Sequence, residues 1–271
     1  MDPRPIGIFD SGLGGLTAAK ALEEILPGEN LVYFGDSVNA PYGTRSREEL
    51  FALASATRDF LFGFDVKAFV VACGTVSSTV LGEVRKTCPV PMFDVLGAAC
   101  ETAAGSGARR VAVAATEATV RSGAFERRLK ELSPSPDMEV FSKACQSLVT
   151  TVERGHFCAG DPVAEAAVAA ELGPIRDYAP DTLILACTHF PLLERSIAAY
   201  LGPQVKLLSV GAETARALEG YLRENGLLSG RARGANRWFT SGSVAEFAEF
   251  AEIFLGHKVV PEQHVNFVID T

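Results

Sequence analysis

Short runs of apolar and β-branched residues alternate along this chain with longer stretches in which apolar residues recur at helical spacing. This alternation is typical of βαβ units, in which parallel strands form a sheet and the connecting helices cover its faces. Strands are predicted over 6–9, 31–35, 68–72, 90–95, 110–115, 138–142, 182–186, 205–209, 237–241 and 265–269. Helices are predicted over 14–26, 46–62, 76–87, 117–131, 161–178, 190–201, 212–225 and 244–255. We therefore expect an α/β fold with mainly parallel sheets flanked by helices.

Two predicted strands end in the same way. Residues 68–75 read AFVVACGT and residues 182–189 read TLILACTH, so an apolar strand runs into Ala-Cys in both. A looser match joins IGIFDSG at 6–12 to VAVAATE at 111–117. The repetition predicts two similar α/β halves, and a duplicated fold would place two cysteines facing each other.

Composition and charge narrow the classes of function. The chain has 271 residues, of which 48% are hydrophobic and 21% charged, as in folded globular proteins of about two domains. Its net charge of −8 has the wrong sign for a surface that neutralises phosphates, so nucleic acid is not expected as the main partner. No apolar run is long enough to span a bilayer, and the first residues do not resemble a signal peptide. We expect a cytoplasmic protein without a membrane partner.

Cysteine and histidine spacing argues against disulfides and metal. The six cysteines include no CxxC pair, and we interpret them as free thiols. The four histidines form no HExxH motif, so no metal site is predicted. The glycine-rich segment 10–17 follows a strand but is not GxGxxG, and it is a weak signal for nucleotide binding.

The ends of the predicted strands carry the candidate chemistry. Ligands of parallel sheets bind outside the carboxyl ends of the strands, where Asp10, Cys73, Thr116 and Cys187 are expected. Lowering a thiol pKa from about 8.5 to about 6.5 requires roughly 2.7 kcal/mol, more than one helix dipole supplies. Asp10, near Cys73, and His189, near Cys187, are the residues available to supply the rest of this stabilisation. A lone cysteine after an apolar strand is more often a buried small hydrophobe, but two at equivalent points favour a chemical role.

Several segments together resemble the glutamate racemase family, within the aspartate/glutamate racemase superfamily. They are IGIFDSGLGGLT (6–17), YFGDSVNAPYGTRS (33–46), VVACGT (70–75), ATEATVRSGAF (115–125), TVERG (151–155), LACTHFPLL (185–193) and GAETA (211–215). The resemblance implies two α/β domains related by pseudo-two-fold symmetry, with the active site in the cleft between them. The expected domains are 1–97 with 209–271, and 98–208.

The resemblance also implies a reaction. It is the interconversion of L- and D-glutamate without a cofactor, by a two-base thiol/thiolate mechanism that supplies D-glutamate for peptidoglycan. Cys73 would deprotonate D-glutamate with help from Asp10, and Cys187 would deprotonate L-glutamate with help from His189 and Glu153. A homodimer is expected. The positions expected to hold the substrate are Ser11, Pro41, Tyr42, Gly43, Gly74, Thr75, Thr116, Thr119 and Thr188.

Some residues depart from the family pattern. Gly74 stands where the family usually has asparagine, so an amide expected to hydrogen-bond the bound amino acid is missing. Ser209 and Ser243 stand where acidic residues are common, and Gln146-Ser147-Leu148 replaces Pro-Leu-Phe.

The departures leave alternatives open. One is a racemase for aspartate or another acidic amino acid, although aspartate-specific relatives tend to carry Glu at the position of His189. A decarboxylase relative would use only one of the two cysteines. Another alternative is a non-catalytic ligand-binding homologue, which would not require two thiols.

Overall fold

The computed structural model describes residues 1–264, so the strand predicted over 265–269 lies outside the described residues. The chain forms two compact units. One comprises Met1–Val95 and the segment from Thr214 onward, and the other comprises Leu96–Glu213. The chain therefore leaves the first unit once and later returns to it.

Parallel strands form the centre of each unit. Numbered along the chain, they are β1 (Ile6–Asp10), β2 (Leu31–Gly35), β3 (Ala68–Val71), β4 (Met92–Asp94), β5 (Arg110–Ala115), β6 (Glu139–Ala144), β7 (Thr182–Leu185), β8 (Lys206–Ser209), β9 (Asn236–Thr240) and β10 (Glu262–Gln263). The sheet of the first unit has the order β10-β9-β2-β1-β3-β4, and that of the second has the order β6-β5-β7-β8. All these neighbouring pairs are parallel, which confirms the predicted α/β fold.

Helices connect the strands and cover the sheets. They are α1 (Leu16–Ile25), α2 (Arg47–Phe62), α3 (Gly74–Thr79), α4 (Leu81–Lys86), α5 (Val95–Gly105), α6 (Glu117–Ser122), α7 (Ala124–Leu132), α8 (Gln146–Glu153), α9 (Pro162–Tyr178), α10 (Glu194–Leu201), α11 (Val210–Glu224) and α12 (Val244–Leu255). Short 3-10 helices occupy 37–39, 42–44 and 190–193. Because helices pack on both faces, every residue of β1, β2 and β3 is buried.

Four strands of each sheet follow the same order. In the first unit they are β2-β1-β3-β4, and in the second β6-β5-β7-β8. The backbone pairing continues alike past the strand ends, since the Ala72 amide donates to the Phe9 carbonyl and the Ala186 amide to the Ala114 carbonyl, each at 2.8 Å. The strands that precede Cys73 and Cys187 are therefore equivalent, as the sequence repeat predicts.

The structure divides two predicted helices and adds two. The helix predicted over 76–87 is α3 and α4, which meet at Val80. The helix predicted over 117–131 is interrupted at Gly123, whose φ of 61° is left-handed and ends α6. Helices α5 and α8 were not predicted, because α5 is rich in alanine and glycine without polar alternation and α8 is rich in β-branched residues.

Within residues 1–264, no helix combines the length and the apolar character that crossing a bilayer requires.

Candidate active site

Asp10 is fixed by the glycine-rich loop that follows β1. Its side chain is 5% exposed, and its Oδ2 atom accepts hydrogen bonds from the amides of Gly12 at 3.1 Å and Gly15 at 3.0 Å. A Cβ atom at position 15 would lie 2.5 Å from the Cβ of Asp10, closer than such atoms approach. Glycine at position 15 is therefore required by the close approach to a carboxylate, a role that the sequence alone did not reveal.

Cys73 follows the neighbouring strand β3 and begins α3. Its side chain is 3% exposed, and its Sγ atom donates to the Ser11 hydroxyl at 3.3 Å. Burial raises the pKa of the Cys73 thiol to about 11, and the Asp10 carboxylate adds to this rise, while Ser11 opposes it. The charge of Asp10 therefore does not favour the Cys73 thiolate.

Tyr42 lies on the loop between β2 and α2 and is 2% exposed. It packs in the same apolar cluster as Cys73 and Val76. The phenol donates to Asp36 Oδ2 at 2.7 Å, and burial next to that carboxylate raises the pKa of Tyr42 far above its usual value. Pro41 and Gly43 flank it and are exposed, with a cis peptide bond between Ala40 and Pro41.

Asp36 organises this loop. Its side chain is completely buried and accepts hydrogen bonds from Tyr42, from the Asn39 amide at 3.0 Å and from the Ser241 hydroxyl at 2.7 Å. The Ser241 hydroxyl also accepts from the Val38 amide at 3.0 Å. Sequence reasoning missed Ser241, because it follows β9, some 200 residues along the chain from the loop it supports; no local pattern signals it.

Cys187 has a different set of partners in the second unit. It is 8% exposed, and its Sγ atom lies 3.7 Å from the Nδ1 atom of His189. The opposite ring atom of His189, Nε2, lies 3.6 Å from Glu153 Oε1. Glu153 is the last residue of α8, so this helix brings the carboxylate to a histidine that follows β7. The three predicted residues Cys187, His189 and Glu153 thus form a connected chain.

Electrostatics favours a protonated imidazole at His189. Burial lowers its pKa, but the contacts with Cys187 and Glu153 outweigh this and raise the pKa of His189 to about 9. The hydrogen bond with His189 also lowers the pKa of Glu153. The second unit therefore places a cationic imidazole in contact with the Cys187 side chain.

The predicted substrate-binding threonines of the second unit lie at strand and helix ends. The Thr116 and Thr119 hydroxyls lie 3.1 Å apart, and Thr116 caps α6 by accepting from the Thr119 amide at 3.4 Å. Thr188 is partly exposed and lies between Cys187 and His189 in the chain. Hydroxyls at such positions offer hydrogen bonds to carboxylates.

Position 74 has room for a side chain. A Cβ atom built on Gly74 meets no atom within 4 Å, and the residue is partly exposed next to Cys73 and Thr75. No neighbouring residue therefore occupies the space in which the side chain of an asparagine at position 74 would begin.

All six cysteines are free thiols, as predicted. Cys100 and Cys145 are completely buried, and burial raises the pKa of Cys145 to about 12. Cys158 is exposed. Among residues 1–264, no group of histidine, cysteine and acidic side chains has the arrangement of a metal site.

Residues 15–218 match the Asp/Glu/Hydantoin racemase family. The chain belongs to this family.

Individual relatives match over nearly their whole length. A glutamate racemase of Thermoanaerobacter pseudethanolicus is 38% identical over 267 residues, which cover 98% of each chain. The crystal structure of glutamate racemase from Francisella tularensis in complex with D-glutamate superposes with a TM-score of 0.84 at 33% identity. Glutamate racemase from Thermus thermophilus in complex with beta-chloro-D-alanine gives a TM-score of 0.84 at 37% identity. Both structural matches cover 98% of each chain.

Proposed function

We propose that this protein interconverts L-glutamate and D-glutamate without a prosthetic group, using the thiols of Cys73 and Cys187 as its two bases. The observation that carries the proposal is the equivalence of these thiols. Each follows a buried strand at the same place in a sheet of the same order, and each contacts its own polar partner. The relatives named glutamate racemase support the choice of reaction.

The reaction inverts one carbon by moving two protons. A thiolate takes the α-hydrogen as a proton, and the electron pair of the broken C–H bond stays on the substrate, delocalised into its α-carboxylate. A thiol then gives its proton to the opposite face of the α-carbon, which forms the new C–H bond and leaves a thiolate. The two sulfurs exchange protonation states in each turnover, so the reverse reaction starts from the product state.

The polar partners bring each sulfur to its working protonation state. In the conversion of D-glutamate, Cys73 acts as the base with help from Asp10. In the conversion of L-glutamate, Cys187 acts as the base, and the His189 imidazolium stabilises its thiolate. Glu153 holds the imidazole and keeps it charged.

The remaining predicted residues bind the substrate. Hydroxyl and amide groups compensate the charge of the two carboxylates and the ammonium. Their stabilisation is largest in the transition state, when negative charge accumulates on the α-carboxylate. In the first unit these residues are Ser11, Pro41, Tyr42, Gly43, Gly74 and Thr75, and in the second they are Thr116, Thr119 and Thr188. Tyr42 acts through the loop that Asp36 holds, since its own hydroxyl already donates to that carboxylate.

A panel of amino acids tests the substrate. Purified protein is incubated with single enantiomers of glutamate, aspartate, glutamine and alanine, and optical rotation is followed without added cofactor. We expect glutamate to lose optical activity fastest from both enantiomers. A faster loss of optical activity with aspartate would mean that aspartate is the substrate. Binding of glutamate in calorimetry without any loss of optical activity would indicate a binding protein.

The wider setting follows from the reaction. D-Glutamate supplied in the cytoplasm serves peptidoglycan synthesis, and we propose that role for this protein. We also propose a homodimer in solution, which light scattering of the purified protein tests by its mass.

A further inference from the structure

Tyr33 is a buried phenol near Asp10 and Cys73 that the proposed mechanism does not use. It lies on β2 with its side chain completely buried, against Trp238 and Phe247 with ring centroids 5.9 and 5.7 Å away. Its hydroxyl donates a 3.0 Å hydrogen bond to the carbonyl of Gly12. A buried phenol therefore reaches out of the core to the loop that carries Ser11.

A second observation concerns the same carbonyl. A Cβ atom at position 35, two residues further along β2, would lie 2.2 Å from the Gly12 oxygen. Only glycine allows this approach, so strand β2 meets the Gly12 carbonyl at both Tyr33 and Gly35. The Gly12 amide is bonded in turn to Asp10, and Gly12 is thus fixed at both its N–H and its C=O.

The fixed loop determines where Ser11 points. Ser11 precedes Gly12 directly, and its hydroxyl is the group that Cys73 Sγ contacts at 3.3 Å. The same hydroxyl opposes the rise of the Cys73 pKa caused by burial and Asp10. Tyr33 is also close enough to Asp10 and Cys73 for their charges to add to the rise of its own pKa.

We propose that Tyr33 is a positioning residue for the racemisation, which holds Ser11 against Cys73 through the Gly12 carbonyl. This inference rests on the proposed function. Tyr33 does not touch the reacting atoms; it keeps the hydroxyl of Ser11 where it stabilises the Cys73 thiolate. The Cys187 side of the reaction does not depend on it.

Tyr33→Phe removes only the hydroxyl, and Tyr221→Phe is the matched control. Tyr221 lies on α11 of the same unit, with its ring against Phe93 of β4. We expect kcat/KM of Tyr33→Phe to fall about tenfold, as for one lost hydrogen bond. The fall must be equal for both enantiomers, because their equilibrium constant is one. Tyr221→Phe should keep the wild-type rate.

Isotope effects reveal which proton transfer has slowed. With α-deuterated D-glutamate, whose deuteron Cys73 removes, the primary isotope effect on kcat/KM should rise in Tyr33→Phe. With α-deuterated L-glutamate it should fall. Equal changes in the two directions, or none, would overturn the proposal.

Alkylation provides a readout that does not need turnover. Iodoacetamide reacts with the thiolate, and peptide mass spectrometry separates the two cysteines. At pH 8 we expect Cys73 of Tyr33→Phe to react about threefold more slowly than in the wild type, because the weaker contact with Ser11 raises the pKa of its thiol, with Cys187 unchanged. An unchanged or faster reaction at Cys73 contradicts the proposal. If the wild type does not racemise glutamate, the proposed function fails, while this comparison still decides the role of Tyr33.

A double-variant cycle tests the route through Ser11. Ser11→Ala should slow the alkylation of Cys73 by at least as much as Tyr33→Phe. If Tyr33 acts through Ser11, the double variant should match Ser11→Ala alone. If the double variant instead lost reactivity by the product of the two single losses, Tyr33 would act by another route and the proposal would be wrong. Thermal unfolding of each variant confirms that the fold is intact.

Discussion

The Nδ1 atom of His189 lies 3.7 Å from the Sγ atom of Cys187, which precedes it by two residues. Both residues follow β7 and lie in one site. The Glu153 carboxylate contacts the opposite ring nitrogen of His189, Nε2. Within residues 1–264, no cation is recorded in contact with the Cys73 sulfur; its polar neighbours are the Ser11 hydroxyl, the backbone amides of Thr75 and Val76 and the nearby Asp10 carboxylate. The two thiols therefore occupy equivalent places in the fold and opposite electrostatic environments.

The raised pKa of His189 makes part of the stability depend on pH. Its value of about 9 lies above the ordinary 6.5, so the folded state binds this proton more tightly than the unfolded state. The resulting stabilisation is complete below pH 6.5 and is lost as the pH rises through 9. After allowance for the half-exposed Glu153, we expect about 1–2 kcal/mol.

Urea unfolding of the wild type and His189→Gln measures this effect. The difference in unfolding free energy between the two proteins should be larger at pH 6 than at pH 10. A difference that grows with pH would show that the imidazole is neutral in the folded protein.

Removal of either sulfur should slow the reaction severely. Cys73→Ser and Cys187→Ser each replace a thiol by a hydroxyl that does not ionise in the working pH range. We expect kcat to fall by about 10² to 10⁴-fold in each, the usual contribution of a positioned acid or base. Optical rotation with both glutamate enantiomers measures it.

Cys158→Ser is the control for these variants, because Cys158 is exposed. It should retain the wild-type rate. If Cys73→Ser also retained that rate, Cys73 would be a buried small hydrophobe and the two-thiol mechanism would be excluded.

Gly74→Asn tests the open space next to Cys73. A Cβ atom there meets no neighbour within 4 Å, and the amide would add a hydrogen bond to a charged substrate group worth roughly 1.5–3 kcal/mol. We expect KM for glutamate to fall about tenfold or more. Gly74→Ala fills the same space without the amide and should leave KM unchanged. A higher KM in the asparagine variant than in the alanine variant would mean that the amide does not meet the substrate.

Lys67 and Glu29 form a buried ion pair in the first unit. Their side chains are 0% and 2% exposed, and Lys67 Nζ lies 2.6 Å from Glu29 Oε2. The ammonium also donates to the carbonyls of Asp2 and Leu227, each at 2.7 Å. Lys67→Met leaves a carboxylate buried without its counter-charge, and we expect the free energy of unfolding to fall by about 3–5 kcal/mol.

Urea unfolding checks the ion pair. The double variant Lys67→Met/Glu29→Gln removes both charges and should recover part of the loss. If the double variant were as unstable as Lys67→Met alone, the loss would come from the carbonyl contacts and not from the unpaired charge.

The sequence predicted the sheets well because buried parallel strands are short apolar runs, as in 68–71 and 182–185. The repeat of Ala-Cys after these strands also predicted their equivalence. Helix α8 escaped prediction, since its β-branched residues favour a strand when considered alone. The packing of α8 against its neighbours is what makes it helical, and packing is not visible in a local pattern.

The prediction of the site was likewise limited to what local sequence patterns and the order of elements reveal. The residues that the sequence placed at strand ends do lie there, because the order of strands and helices fixes those positions. The buried supports were not found: Gly15 is set by its approach to Asp10, and Ser241 reaches Asp36 across 205 positions of the chain. The degree of burial that raises the pKa of Cys73 also becomes clear only in three dimensions.

Hydrogen exchange at the α-carbon in heavy water tests the central claim most directly. The purified protein, without added cofactor, is supplied with L-glutamate or D-glutamate, and each enantiomer is separated and its deuterium content measured at early times. Two bases predict that the newly formed enantiomer contains one solvent deuteron at the α-carbon from the start, while the remaining substrate is unlabelled, in both directions. Deuterium appearing first in the starting enantiomer, or no exchange from either, would contradict the account.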